Sequence, residues 1–261
     1  MGILNATPDS FSDGGKFLSV NRAVDRVEEM INKGAKIIDV GGESTRPGSE
    51  PVSEQEEMDR VLPVLEIACK RFDETIFSID TTKYRVAEEA LRLGVHVVND
   101  VSGLQKEPQL ADLCSDYKAG YILMHSKGDP KTMQENPVYD DVIEEIGHFF
   151  ESGISRLKKA GVDSIIIDPG IGFGKTLDHN LQIISELRNF SQFEVPVLVG
   201  ASRKSLIGQL LDNRPAENRL AGTLAVHYHC LMHGAKILRA HDVQEASDSV
   251  KIFQAIAGIK Q

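Results

Sequence analysis

Tryptophan is absent from the 261 residues, and cysteine is scarce: Cys69, Cys114 and Cys230 stand far apart, with no CxxC or CxxxC pair. That excludes a disulfide framework and a zinc ribbon as organising devices. Each cysteine falls in a segment that reads as helix, where its simplest role is that of a small buried hydrophobe. A reducing cytoplasm is the expected compartment. No run of about 18 apolar residues occurs, so no membrane span is expected. The opening Met1-Gly2-Ile3-Leu4-Asn5 has neither a basic n-region nor a long apolar core, so it reads as the first strand rather than a signal peptide. Basic charge is also short, with 29 Lys and Arg against 39 Asp and Glu and a formal net charge of −10. A chain this acidic is a poor partner for nucleic acid or an anionic membrane. Any anionic ligand must therefore be met by a local basic cluster. No linker, low-complexity tract or break in composition appears, so one domain over residues 1–261 is expected.

What is present is a repeat of short apolar runs, each followed by an amphipathic segment. Gly2-Ile3-Leu4 reads as a first strand, and Val20, Ala23, Val24, Val27 and Ile31 follow at helical spacing behind a possible Ser19 cap. Gly34 closes that helix. Lys36–Val40 is a second strand, and Ser53-Glu54-Gln55-Glu56 has capping-box spacing before the stripe Met58, Val61, Leu62, Leu65 and Ala68. Further strands are expected at Ile76–Asp80, His96–Asn99, Tyr121–Met124, Ile165–Asp168, Pro196–Val199 and Ala235–Leu238. Helices are expected near Tyr84–Leu93, Pro108–Tyr117, Tyr139–Ala160 and Leu177–Phe190. A further one is split around Asn213-Arg214-Pro215 and reaches His233, and a last one ends near Ala257. Eight units of continuous apolar strand and helix predict an α/β protein with a parallel sheet covered by helices. At about 250 residues a closed (β/α)8 TIM barrel is favoured over an open doubly wound sheet.

The strands end in polar residues. Asn5, Asp39, Asp80, Asn99, His125 and Asp168 follow the first six, Gly200-Ala201-Ser202-Arg203-Lys204 the seventh, and Arg239-Ala240-His241 the eighth. One or two such residues would merely mark where strands stop. Eight, rich in acids, amides and cations, predict a ring around one barrel mouth, where barrel enzymes carry their chemistry. Arg46, Arg203, Lys204, Arg239 and His241 supply the basic cluster, and Arg suits bidentate contact with phosphate or carboxylate. A carboxylate accepts two parallel N–H bonds from a 2-amino-pyrimidinone edge, so the acids and Asn99 suit a flat donor-rich heterocycle. The residues together imply a ligand with such a ring and an anionic tail.

Three features carry less. Gly170-Ile171-Gly172-Phe173-Gly174-Lys175-Thr176 resembles a phosphate loop, but its first glycine is one residue too close for GxxxxGK[ST]. It reads instead as a tight strand-to-helix loop that brings Phe173 to a ligand. His229 and His233 have i, i+4 spacing without HExxH, and read as helix-packing or surface residues. Glu54-Gln55-Glu56-Glu57 reads as a solvated first helical turn favoured by the helix dipole. The loops at residues 5–15 and 41–48 are long and rich in small residues, as lids over a barrel mouth are.

These segments resemble the dihydropteroate synthase family over nearly the whole chain. The motifs are Gly2-Ile3-Leu4-Asn5 with Thr7-Pro8-Asp9-Ser10-Phe11-Ser12-Asp13-Gly14-Gly15, Asp39–Gly48, Asn99–Gly103, Asp168–Lys175, Ser202-Arg203-Lys204-Ser205 and Arg239-Ala240-His241-Asp242. Ala6 and Ala240 stand where the family often has valine. The resemblance implies condensation of 6-hydroxymethyl-7,8-dihydropterin diphosphate with p-aminobenzoate, releasing diphosphate. It also implies a homodimer. Asp80, Asn99, Asp168 and Lys204 would then hold the pterin, with Met124 and Phe173 packed near it; Asp168, Lys204 and Asp80 are the expected catalytic set. Asn5 would ligate Mg²⁺, with Thr45, Arg46, Arg239 and His241 around the diphosphate. Thr45, Arg46, Pro47, Phe173 and Ser202 would line the p-aminobenzoate site, under a lid carrying Thr7, Pro8, Asp9, Ser10 and Phe11. The nearest alternative is a methyltetrahydrofolate methyltransferase on a related barrel, which needs neither the anion cluster nor the first loop. An inactive pterin-binding scaffold is the other, and loss of Asn5 or Lys204 would have favoured it.

Overall fold

The computed structural model describes residues 1–6, 15–44, 49–128, 133 and 135–258. Eight strands run β1 (Gly2–Asn5), β2 (Ile37–Gly41), β3 (Ile76–Asp80), β4 (Val97–Asp100), β5 (Gly120–Met124), β6 (Ile165–Asp168), β7 (Val197–Val199) and β8 (Ala235–Leu238). Consecutive strands pair in parallel in sequence order. Strand β8 closes on β1, because Ile3 N–H donates to Ala240 O at 3.2 Å and Ala240 N–H to Met1 O at 2.9 Å. The sheet is therefore a barrel, as the repeat predicted. The helices are α1 (Gly15–Asn32), α2 (Glu54–Arg71), α3 (Tyr84–Arg92), α4 (Leu110–Asp116), α5 (Val142–Ala160), α6 (Leu177–Ser185), α7 (Ser205–Leu210), α8 (Leu220–Met232) and α9 (Val243–Ile256).

Strand alternation divides the apolar residues into two cores. Ile38, Val40, Phe77, Ile79, Val98, Leu123, Ile167 and Val199 belong to the large core shared with the helices. Val97, Ile122 and Leu198, with Ile166, Ile237 and Met1 against them, form a small separate plug. Two residues further along their strands, on the same side, stand Asn99, Met124, Asp168, Gly200 and Arg239. The inward face is thus apolar low in the barrel and polar at the mouth, and that switch positions the site.

Local signals set most element ends. Ser53 caps α2, its Oγ accepting the Glu56 N–H at 3.2 Å. Gly34, at φ +95°, follows α1 as expected. The two helices α7 and α8 flank Asn213-Arg214-Pro215. Three expectations are corrected. Helix α1 starts at Gly15, so Ser19 lies inside it and is no cap. Helix α5 starts at Val142, because Asp141 takes the N–H groups of Ile143 and Glu144. Tyr139 instead lies in the preceding loop and donates its hydroxyl to Gly174 O at 2.9 Å. Glu57 is not solvated: it is fully buried and bonded at 2.5 Å to Lys83, which also pairs with Glu43. The three cysteines lie in α2, α4 and α8, and burial pushes their thiols up to about 11 for Cys69 and about 12 for Cys114 and Cys230. They are inert packing residues.

Candidate active site

The strand-end residues converge, but not as a simple ring of free side chains. Asp39 sits two residues before the end of β2, one inward step below Asp80 and Asn99, which pair directly across β3 and β4. Arg239, just beyond β8, reaches over the barrel interior. Its Nε donates to Asp39 Oδ2 at 2.6 Å and its Nη2 to Asp80 Oδ2 at 2.7 Å. Asn99 Nδ2 donates to the same Asp39 oxygen at 3.0 Å. Asp39 is thus the hub that holds Arg239 and Asn99. The register, Asp39 opposite Ser78 and Gly41 opposite Asp80, is what separates it from the residues at the rim.

This network has electrostatic consequences. Burial raises the Asp80 carboxyl to about 7, Arg239 opposing the rise and Asp39 adding to it. Asp80 Oδ1 is buried and has no partner among the described residues, and neither does Asp39 Oδ1. Burial works against the charge of Arg239, but Asp39 and Asp80 outweigh it and hold the guanidinium well above its usual range. Nε and Nη2 are committed to these acids; Nη1 carries two further N–H groups.

Across the mouth, Asp168 pairs in register with Met124 of β5 and is 6% exposed. Its Oδ1 accepts the Gly170 N–H at 2.8 Å. Burial raises this carboxyl too, against the pull of Lys204 and the Gly170 N–H. Lys204 precedes α7. Its ammonium donates to Ile171 O and lies 4.3 Å from the centre of the Phe173 ring. Burial lowers it to about 8, with Asp168 as the chief counterweight. Ser202 meets His241: the His241 N–H donates to Ser202 Oγ at 3.2 Å, and the imidazole Nδ1 stands 3.1 Å from that oxygen. Asn5 ends β1 and is partly exposed. Thr45, Arg46 and Pro47, and the lid residues Thr7, Pro8, Asp9, Ser10 and Phe11, lie outside the described residues.

A cavity of about 740 Å³ opens at this end of the barrel, lined among others by Glu43, Asp80, Thr81, Val101, Ser102, Gln105 and Phe173. It meets the predicted site at Asp80 and Phe173 and extends over β3 and β4, away from Arg239 and His241. That accounts for only part of the site, and the polar network marks the rest.

The glycine-rich segment is a tight loop between β6 and α6, and its glycines serve close packing. Gly170 and Gly174 have φ of +66° and +62°, and a Cβ on them would stand 1.9 Å from His125 O and 2.0 Å from Lys127 O. Loop six therefore lies directly on loop five, which only glycine permits. Lys175 stitches the two loops, with its ammonium 3.0 Å from His125 Nδ1 and 3.0 Å from Phe173 O. Burial, then Lys175 and Lys127, push His125 down to about 2, and burial lowers the Lys175 amine to about 7. Strand-end reading placed His125 in the ring but missed its partner. His229 of α8 and His233, just past its end, stack at 4.1 Å, and no group of three metal ligands occurs among the described residues.

Comparison with known proteins agrees with this geometry. Residues 1–241 match the pterin binding enzyme family. The chain is 47% identical over 263 residues to dihydropteroate synthase of Escherichia coli K12, covering 100% of this chain and 92% of that protein. A Clostridium difficile dihydropteroate synthase solved in the presence of pteroic acid superposes with a TM-score of 0.92 at 42% identity, covering 98% of this chain and 95% of that one. The Xanthomonas albilineans enzyme, solved with 4-aminobenzoic acid, gives 0.92 at 39% identity, covering 100% and 93%. With the barrel, the polar mouth and these relatives together, the chain belongs to the pterin-binding enzyme family, among its dihydropteroate synthases.

Proposed function

We propose that the mouth joins the methylene of 6-hydroxymethyl-7,8-dihydropterin diphosphate to the amine of p-aminobenzoate, releasing diphosphate and forming 7,8-dihydropteroate. The observation that carries the residue roles is Asp80 Oδ1, a buried carboxyl oxygen without a partner among the described residues, beside a large cavity. Such an atom is costly unless a ligand donor meets it. The N–H edge of a pterin supplies that donor, with Asn99 and Asp168 beside it and Met124 and Phe173 packing on the ring. Ligand donors at Asp80 favour its ionised form and draw its pKa back down.

The C–O bond to diphosphate breaks first, and the positive charge spreads from the methylene into the electron-rich ring. Asp168 stabilises that charge through the ring while Lys204 orients it. Arg239, His241 and, by family resemblance, Thr45 and Arg46 receive the departing anion. The neutral amine of p-aminobenzoate, held near Ser202, Phe173 and, by family resemblance, Pro47, then attacks and loses a proton to solvent. No strong general base is needed. By family resemblance Mg²⁺ would be held through the Asn5 amide oxygen, a hard oxygen donor of the kind this ion takes. When bound, it neutralises the leaving diphosphate. A homodimer belongs to the same reading, supported by Met232, Ile252 and Ile256, exposed at 50%, 57% and 71% on the packed α8–α9 pair. A cytoplasmic location fits the three unpaired thiols.

The test is diphosphate release from the dihydropterin substrate with Mg²⁺, with and without p-aminobenzoate. Release that depends on both, with dihydropteroate as product, is expected. Tight pterin binding without release would point to the methyltransferase or scaffold alternatives. The pH profile tests Lys204. Its amine is lowered to about 8, so the cation is present below that pH and lost above it. The specificity constant for the dihydropterin substrate is expected to fall above about pH 8. Lys204→Arg should abolish that limb, and an unchanged limb in the variant would remove Lys204 from the pterin site.

A further inference from the structure

Arg203 lies between Ser202 and Lys204, the two residues that the proposed function assigns to the arylamine and the pterin. Its backbone is left-handed, with φ +59°. Residues 201–204 form a turn closed by the Lys204 N–H to Ala201 O at 3.2 Å, and Arg203 occupies its third position. Positive φ there is ordinarily the place of glycine. A branched, charged side chain persists in such a conformation only where its surroundings over-determine it.

Three residues from two other segments do so. Thr223 of α8 is buried, and its Oγ1 accepts the Arg203 N–H at 3.1 Å. Arg219 Nη1 donates to the Arg203 carbonyl at 2.9 Å, while its Nε donates to Arg214 O at 2.7 Å. Asp242, the residue after His241, takes the Arg203 side chain in a fork: Nε bonds to Oδ2 at 2.9 Å, and Nη2 to Oδ1. The guanidinium read from the sequence as part of the anion cluster is therefore committed to a carboxylate. His241 and Asp242 together grip Ser202 and Arg203, so loops seven and eight are held in register.

We infer that Thr223, Arg219 and Asp242 are positioning residues that hold Arg203 left-handed, and that this turn aims Ser202 at the arylamine and Lys204 at the pterin. The inference rests on the proposed function for the identity of the two substrates. Among the described residues Thr223 bonds to the Arg203 N–H and to neither of the assigned site side chains. Its effect on catalysis must pass through the Arg203 backbone.

The experiment is a cycle of Thr223→Val and Arg203→Gly, with kcat and both KM values measured on folded, dimension-matched preparations. Thr223→Val keeps the shape and removes the acceptor. It is expected to raise KM for p-aminobenzoate about tenfold and to lower kcat, since small misplacements of binding groups cost that much or more. Thr223→Ser should restore both. Glycine adopts positive φ without help, so in the Arg203→Gly background Thr223→Val should have little further effect. An equal effect in both backgrounds, or a Thr223→Val variant with altered melting temperature but unchanged kinetics, overturns the inference. Were the unsubstituted protein to release no diphosphate, the proposed function would fall instead. The turn would then be judged by a crystal structure of Thr223→Val: Arg203 leaving the left-handed region supports the inference, and Arg203 keeping it overturns it.

Discussion

Asp168→Asn is expected to lower kcat by about 10² to 10³, the loss typical of removing one preorganised electrostatic group from a buried site. The substitution changes almost no volume, and the amide oxygen can still accept the Gly170 N–H that now meets Oδ1. What disappears is the negative charge. Asp168 is 6% exposed, and its carboxyl is raised by burial but drawn back by Lys204, Gly170, Arg239 and Lys175. Those groups favour the charged form of the carboxyl where a cation is to form. An Asn there can offer one acceptor and one donor where the ring edge needs two acceptors. It also leaves Lys204, itself lowered to about 8 by burial, without its chief counterweight, so its ammonium should deprotonate at lower pH. The measurement is steady-state turnover with both substrates, with pterin affinity measured separately by calorimetry. A fall in kcat larger than the fall in affinity assigns the charge to the reacting state. Turnover near that of the unsubstituted protein would remove the ring-anchoring role.

Much of this site was legible in the sequence because strand ends in a barrel are forced to one rim. Asp80, Asn99, Asp168 and Arg239 lie far apart along the chain, yet the eightfold repeat alone requires them to meet. The same repeat places His229 within a helix, away from that rim. Pairing between side chains was not legible. Nothing in Asp39-Val40-Gly41 distinguishes a residue at the rim from one a step below it, and only the register Ile3–Asp39–Ser78 places Asp39 beneath Asp80. Glu57 read as a solvated charge because its neighbours Glu54 and Glu56 are acidic. Its burial depends on Lys83, a partner 26 residues away. Thr223 carries no signal at all, since a threonine in an apolar helix is unremarkable until the Arg203 N–H is found on it.

Arg239→Met should cost both stability and diphosphate affinity, and the two losses can be separated. Removing one partner of a buried ion pair typically destabilises by about 3–5 kcal/mol, because the remaining charges are left uncompensated. Here two acids are stranded, Asp39 and Asp80, both essentially buried. The Asp80 carboxyl, already raised to about 7 with Arg239 opposing the rise, should climb further without it. A carboxyl whose folded pKa lies above its unfolded value adds stability below the unfolded value, near 4, and loses it as pH rises through the folded value. The deficit of Arg239→Met should therefore be largest at neutral and alkaline pH and shrink towards pH 4. Melting curves of both proteins across that range check this. Asp39→Asn in the same chain should recover part of the loss by removing one stranded charge. The diphosphate role is read apart from stability, by comparing affinity for the dihydropterin diphosphate with affinity for the corresponding pterin alcohol. Loss of a charge-assisted contact should weaken the diphosphate by about a hundredfold more than the alcohol. Equal weakening of both would mean that Arg239 acts through Asp80, as a clamp that shapes the pterin pocket. In that case Arg239 belongs to the floor of the site rather than to its anion-binding rim.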